Sequence, residues 1–138
     1  RLTVCEFDSF YLFSVYSPNA GEKLERLDYK TGAWNKLYRR IISHYLRKGQ
    51  KDNGGDIESK TGNTSKGLII TGDLNVAHKN IDVYSLLKIL AGCTKEERND
   101  FRNVLSDFSL TDIYRHLHPK EIKFTFWSNR QLCRLYNR

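Results

Sequence analysis

Two polar side chains at the end of an apolar run have the chemistry needed for hydrolysis. The run Leu68-Ile69-Ile70 leads into GDLNVAH (72–78), in which Asp73 and Asn75 lie two residues apart. Alternate residues of a strand point to the same face, so the spacing predicts a carboxylate beside an amide where the strand ends. A carboxylate can orient and deprotonate a water molecule, and a neutral amide can donate to a negatively charged transition state. The competing interpretation is an Asx turn, in which both side chains bond only their own backbone.

A second strand end offers further hydrogen-bond donors. The segment YSPNAG (16–21) follows an apolar run and contains the phenol of Tyr16 and the amide of Asn19. Both groups can donate to phosphate oxygens. The two strand ends together indicate a site for a phosphate ester.

The last part of the chain is basic and aromatic. Residues 115–138 carry six Lys or Arg against one acid, which is five of the seven net positive charges. Basic groups attract phosphate, and aromatic rings can stack on bases or sugars. Composition alone also allows a solvated basic surface. The aromatic residues interleaved with these charges are Phe124, Phe126, Trp127 and Tyr136.

The totals limit the class of protein. The 138 residues, 39% hydrophobic and with only two prolines, suit one folded domain or a piece of one. No apolar run approaches the roughly 20 residues of a membrane helix, so we expect no membrane association. Methionine is absent, including at the start, so we expect a piece of a longer protein. Cys5, Cys93 and Cys133 are far apart, which favours reduced thiols and offers no zinc cluster.

The first half of the chain predicts a hairpin followed by a helix. Runs at 2–8 and 10–17 read as two strands joined by a short turn. A helix is predicted over 23–48, with Gly32 as its weak point. Residues 49–66 are polar and glycine-rich and predict a flexible surface insertion. The helix has one apolar stripe, formed by Trp34, Leu37, Tyr38, Ile41, Ile42 and Tyr45.

The second half continues the alternation of strands and helices. Residues 67–72 predict a strand buried on both faces, and Thr94 with Glu97 fits a capping box that opens a helix. A turn or short helix is predicted over 111–118. Residues 123–128 predict a final strand, with Phe124 and Phe126 on one face and Thr125 and Trp127 on the other. Such alternation favours an α/β sandwich.

These motifs together carry a family resemblance. The chain resembles the exonuclease III family of apurinic/apyrimidinic (AP) endonucleases, within the endonuclease/exonuclease/phosphatase superfamily, over nearly its whole length except 49–66. The glycine-aspartate pattern alone would indicate only the superfamily, whereas the YSPNAG and FTFW segments are more specific. The segments that carry the resemblance are SVYSPNAG (14–21), GDLNVAH (72–78) with Ile81-Asp82, FTFW (124–127), CEFDSF (5–10), LERLDY (24–29), GCTKEER (92–98) and YRHLHP (114–119).

The resemblance implies a fold and an activity. It implies a four-layer α/β sandwich, in which two packed mixed β-sheets are flanked by helices, and of which 1–138 forms one partial domain. It implies a DNA repair enzyme that hydrolyses the phosphodiester 5′ of abasic sites in double-stranded DNA, with 3′ phosphodiesterase or exonuclease activity in addition. The implied cofactor is Mg²⁺, with Mn²⁺ as a substitute, and the implied state is a monomer in the nucleus, or in a mitochondrion or other DNA-containing organelle. Alternatives are a non-catalytic DNA-binding module and another phosphodiesterase of the superfamily.

The resemblance also assigns roles to residues. It implies that Asp73 activates the attacking water, and that Asn75 and Tyr16 contact the scissile phosphate. Asn19 corresponds to a further phosphate-site amide, and Arg26 to a contact with the DNA backbone. The remaining implied substrate contacts form a hydrophobic pocket for the flipped abasic sugar, which a normal nucleotide would not fit. Its wall is Phe126, supported by Trp127.

Parts of the family pattern differ or lie outside the chain. Glu22 follows the Asn-Ala-Gly turn where the pattern has an arginine that inserts into DNA, so that contact is in doubt. The metal ligands of the family fall outside this chain, and we therefore expect the fragment alone to be inactive. His78 and Asp82 belong to the motif and are predicted to be structural.

Overall fold

The computed structural model describes residues 1–51, 66–84, 90–127 and 134. Two strands open the chain, and a third follows a long helix. Further short elements complete the described part. In order, the elements are β1 (Leu2–Glu6), β2 (Phe10–Tyr16), α1 (Leu27–Tyr29), a π-helical turn (Lys30–Trp34), α2 (Asn35–Lys51), β3 (Gly67–Asp73), a 3₁₀ turn (Asn80–Asp82), α3 (Lys95–Asp107) and α4 (Ile113–Leu117).

The three strands form one mixed sheet in the order β1-β2-β3. β1 and β2 pair antiparallel, which confirms the predicted hairpin, and β2 and β3 pair parallel. A parallel pair needs a long crossover connection, and α2 lies within it. The α/β class is thus confirmed, as a mixed sheet with helices.

The core lies between the sheet and the long helix. Alternate residues of β2, Tyr11, Phe13 and Val15, are buried, and they meet Tyr38 and Ile42 from the predicted apolar stripe of α2. Alternation on the strand and a 3.6-residue period on the helix bring these apolar side chains to a common interface. The packing therefore fixes where β2 ends, at Tyr16.

The helix predicted over 23–48 differs at both ends from the observed helical elements. Regular helix begins only at Leu27, and a π-helical turn contains Gly32 before α2 starts. Glycine is a poor helix former, so an irregular turn is easily accommodated there. At its other end α2 continues to Lys51, so the first residues of the predicted insertion 49–66 are helical. Residues 52–65 lie outside the described part of the chain.

Two strand predictions are wrong in this structure. β3 is not buried on both faces, because Ile69 is 48% exposed and Gly67 and Thr71, on the same face, are exposed as well. The described residues 123–127 form no strand, and Phe124 is buried whereas Phe126 is 81% exposed. A strand needs a neighbouring strand to satisfy its backbone, and the described sheet ends at β1 and β3.

The helices of the described residues include none long and apolar enough to cross a membrane.

Candidate active site

The ends of two parallel strands bring the first site residues together. Tyr16 is paired in register with Asp73, and the amide of Ser17 extends the ladder by donating to the Asp73 carbonyl at 2.8 Å. Paired residues of a sheet point to the same face. The phenol of Tyr16 and the carboxylate of Asp73 are both exposed there. The sheet therefore presents a donor and an acid side by side to solvent.

Asp73 and Asn75 come together through a turn, and the predicted same-face pair on one strand is wrong. β3 ends at Asp73, and Asn75 has a left-handed backbone with φ of 48°. The amide N–H of Asn75 donates to Oδ1 of Asp73 at 2.9 Å, which is the Asx turn of the competing interpretation. The turn leaves Oδ2 of Asp73 without a hydrogen-bond partner among the described residues, so one carboxylate oxygen remains available to a water molecule.

The side chain of Asn75 joins the two motifs. Its Nδ2 donates to the carbonyl of Ser17 at 2.9 Å, and its Oδ1 accepts from Nδ2 of Asn19 at 2.9 Å. An amide nitrogen carries two hydrogens, and each asparagine uses one of them in a hydrogen bond within the fold. The other N–H of each side chain has no partner among the described residues. Two directed N–H groups thus remain beside the Asp73 carboxylate.

The loop that carries Asn19 is fixed from both sides. Oδ1 of Asn19 accepts from the amide of Gly21, at 2.8 Å, and Gly21 has φ of 91°, which favours glycine. The Asn19 carbonyl accepts from Nε of Arg26 at 2.9 Å. Half of the Arg26 side chain remains exposed, with Nη1 3.9 Å from the Glu25 carboxylate. Arg26 therefore shapes the loop, and Glu22 beside it is exposed.

A buried ion pair lies behind Asn75. The ammonium of Lys30 donates to the Asn75 carbonyl at 2.5 Å and to Oε1 of Glu97 at 2.7 Å. The Lys30 side chain is only 8% exposed, and that of Glu97 is fully buried. Sequence reasoning missed Lys30, although it precedes Trp34 by four residues and so occupies a position on the apolar stripe. A charge on an apolar stripe was the available signal.

A second polar network ties the GDLNVAH segment to α4. Nδ1 of His78 lies 2.7 Å from Oδ2 of Asp112, and Asp82 pairs with Arg115. Burial raises the pKa of Asp112, but hydrogen bonds from the Arg115 amide and from His78 outweigh it and hold the pKa below its ordinary value. His78 and Asp82 thus make contacts within the fold, as expected of structural residues.

Arg115 was predicted to belong to a basic surface, and that prediction is wrong because the residue is buried. It is 4% exposed and donates to the carbonyls of His118 and Glu121 at 2.8 and 2.9 Å, besides pairing with Asp82. It is therefore an internal cation that fixes the turn leading to the aromatic segment. Of the remaining basic segment, residues 128–133 and 135–138 lie outside the described part of the chain.

The aromatic residues predicted for the sugar pocket are less enclosed. Phe126 is 81% exposed, and it makes no ring contact among the described residues. Trp127 is half-buried, with the guanidinium carbon of Arg134 5.6 Å from the ring centroid. The structure therefore brings together Tyr16, Asn19, Asp73 and Asn75, but it does not enclose Phe126.

No group of three or more His, Cys, Asp or Glu in the described part of the chain could hold a metal ion. Asp73 and the two asparagines offer oxygen atoms, which suit Mg²⁺, but these residues do not make a complete ligand set.

Comparison with known proteins gives relatives over nearly the whole chain. No protein-family model matches it. The chain is 39% identical over 132 residues to a Dictyostelium discoideum DNA-(apurinic or apyrimidinic site) endonuclease, covering 93% of this chain and 32% of that protein. It is 34% identical over 135 residues to a Streptococcus pneumoniae exodeoxyribonuclease, covering 94% and 42%.

A solved structure agrees with these relatives. The crystal structure of the AP endonuclease LMAP from Leishmania major matches with a TM-score of 0.79 and 26% identity, covering 99% of this chain and 41% of that one. The chain spans about a third to two fifths of the length of the Dictyostelium and Streptococcus relatives.

Proposed function

We propose that this chain belongs to the family of AP endonucleases and exodeoxyribonucleases, and that it is part of a DNA repair enzyme that hydrolyses the phosphodiester 5′ of abasic sites. One observation carries the proposal: the hydrogen bond from Asn19 to Asn75 joins two strand ends that also present Tyr16 and Asp73. Three donors and one carboxylate thereby meet at one edge of the sheet. A phosphate diester with an attacking water needs this combination of groups.

Each group has a role that follows from its contacts. Oδ2 of Asp73, which has no partner among the described residues, would orient and deprotonate the water, while Oδ1 is held by the Asn75 amide. The remaining N–H groups of Asn75 and Asn19 would donate to the phosphate oxygens as negative charge develops, and the Tyr16 phenol would donate to another. Because the two asparagine amides are already held by the fold, they need little reorganisation during reaction.

The cofactor, the substrate pocket and the full fold belong to the same proposal. Mg²⁺, with Mn²⁺ as a substitute, is the proposed cofactor, and the family resemblance implies that its ligands fall outside this chain. Phe126, supported by Trp127, would form a wall for the flipped abasic sugar. The exposed face of β3 suits a sheet covered by a second sheet, as in a four-layer sandwich. We further propose a monomeric, nuclear protein with 3′ phosphodiesterase or exonuclease activity, and an inactive chain when the remaining parts are absent.

A non-catalytic DNA-binding module is the alternative from another class. It rests on the presence of Tyr16, Asn19 and the basic segment 115–138, groups that can contact a DNA backbone without catalysis. Another phosphodiesterase of the same superfamily is the alternative within catalysis, since the Asp73 pattern alone does not select DNA. The identity of the scissile bond therefore has to be measured on the intact protein.

The test is incision of a labelled abasic duplex by the intact protein that contains this chain, in the presence of Mg²⁺. Asp73→Ala should lower the turnover number by about 10²- to 10⁴-fold, because it removes the group that activates water, and it should leave DNA affinity largely unchanged. The matched control is Asp8→Ala, which removes an exposed carboxylate at the opposite end of the hairpin. Near-normal turnover of Asp73→Ala would refute the assignment. Binding without incision by the wild-type protein would favour the non-catalytic module.

A further inference from the structure

The buried Lys30 has an unusual place in the fold. It opens the π-helical turn Lys30–Trp34 and is the only buried residue of that turn. π-Helical turns inside helices often occur at functional sites. Here the ammonium of Lys30 points inward and donates to the backbone carbonyl of Asn75. A lysine so deeply buried requires a counter-charge.

Glu97 supplies that charge and organises the adjacent loop. Its Oε1 accepts from Lys30, at 2.7 Å, while its Oε2 accepts from the amide of Gly92 at 2.8 Å and from the hydroxyl of Thr94 at 2.9 Å. The carboxylate thus has partners on both oxygens. The ion pair therefore joins the π-helical turn, the loop before α3 and the turn that carries Asn75.

The backbone of Asn75 is held by its surroundings. Its φ of 48° lies in the left-handed region, which asparagine adopts more readily than most other non-glycine residues, and the neighbouring groups fix this conformation. Gly92 lies directly against the Asn75 carbonyl, where an added Cβ would come within 3.0 Å of the oxygen. The Gly92 carbonyl also accepts from the amide of Ala77 at 2.7 Å. Lys30 is thus the charged donor among the groups that surround the Asn75 carbonyl.

We propose that Lys30, with Glu97 as its counter-charge, is a positioning residue: it holds the Asn75 carbonyl and thereby sets the direction of the Asn75 amide beside Asp73. The inference rests on the proposed function, since it concerns the same site. It adds two residues to the proposed site. Lys30 lies 45 residues before Asn75 in the sequence, and Glu97 lies 22 residues after it. Both side chains are buried and are paired with each other, so their proposed role is to hold the turn and not to contact DNA.

The experiment uses Lys30→Met in the intact protein, assayed far below its own unfolding temperature. We expect kcat on the abasic duplex to fall by about 10- to 100-fold, since small misplacements of an active-site group have effects of this size, and we expect KM to stay essentially unchanged. The matched control is Lys36→Met, which removes the same charge from the exposed face of α2. That variant should retain its kcat.

A second variant approaches the pair from the other side. Glu97→Gln keeps an acceptor oxygen for Gly92 and Thr94 but turns an amide donor toward Lys30. It should therefore also lower kcat, by a smaller factor than Lys30→Met. If Lys30→Met does not fold, the kcat of folded Glu97→Gln tests the positioning role. A role in stability alone predicts lower unfolding temperatures with normal kcat in the folded protein, and that result would overturn the inference.

Asp73→Ala, measured in parallel, separates the two proposals. If it retains turnover, the proposed function itself fails. If it is inactive while folded Lys30→Met and Glu97→Gln turn over normally, only the positioning role fails.

Discussion

A substitution at Gly72 tests how the sheet positions the carboxylate of Asp73. Its φ is 118°, and a Cβ added there would lie 2.1 Å from the Val15 carbonyl oxygen and 2.9 Å from the Val15 nitrogen. The clashing atoms are backbone atoms of β2, the central strand, so they cannot move aside as a flexible side chain could. Asp73 follows directly, and any shift of β3 would displace its carboxylate.

The cost of Gly72→Ala can be worked from these two features. An unfavourable backbone conformation costs about 1–3 kcal/mol, and overpacking costs about another 1–3 kcal/mol. The sum, about 2–6 kcal/mol, is a large share of the roughly 5–15 kcal/mol that stabilises a typical domain. We therefore expect a marked loss of the free energy of unfolding and a lower incision rate in the protein that remains folded.

Gly67 provides the control on the same strand. An added Cβ there would meet its nearest atom, the Phe10 Cβ, at 3.8 Å, which is ordinary contact. Gly67→Ala should therefore be neutral or stabilise by up to about 0.5–1 kcal/mol, through the lower chain entropy of alanine. Denaturant titration of both variants in the intact protein is the assay. Equal stability of the two variants would refute the reasoning from strand geometry.

Three further predictions concern other parts of the chain. Phe126→Ala should lower incision of abasic duplex more than general duplex affinity, and an equal fall in both would contradict the pocket role. Deletion of 52–65, closed by a short Gly/Ser link, should leave stability and activity close to normal in unfolding and incision assays; a large loss of either would mean that the segment packs or binds. Hydrogen bonds from Lys48 and Lys66 lower the pKa of Glu6 from 4.5 to about 2, so its stabilising contribution is complete above pH 4.5 and is lost as the pH falls through about 2. Glu6→Gln should therefore be less stable at pH 7 and equal to wild type near pH 2 in denaturant titrations, and a deficit that does not change with pH would contradict this.

The Glu6 contacts also refine the extent of the predicted insertion. Lys48, in α2, lies 2.7 Å from Oε2 of Glu6, and Lys66, just before β3, lies 2.7 Å from Oε1. Glu6 thus joins the two chain segments that flank residues 52–65. The deletion spares both lysines because removing Lys66 would confuse the loss of an ion pair with the loss of the segment.

The sequence by itself determined the elements whose signals are local. The hairpin follows from alternation in neighbouring runs. The helix α3 begins where predicted, because Thr94 and Glu97 satisfy each other's backbone amides three residues apart. The short helix α4 lies within the predicted range 111–118. The positions of Tyr16 and Asp73 at strand ends were also readable, because the apolar runs that end there are continuous.

Only the tertiary structure decided how the site is assembled. Asp73 and Asn75 suit either a strand pair or a turn by spacing alone, and the contacts of Asn75 with Ser17 and Asn19 accompany the turn. The same holds for Arg115, which looks like a surface cation in the sequence and is an internal one in the fold. Lys30 meets Glu97 across 67 residues of chain. The place of Lys30 on the apolar stripe indicates burial, but nothing in the local sequence indicates that Glu97 is its partner, because the surroundings of a buried charge come from distant parts of the sequence.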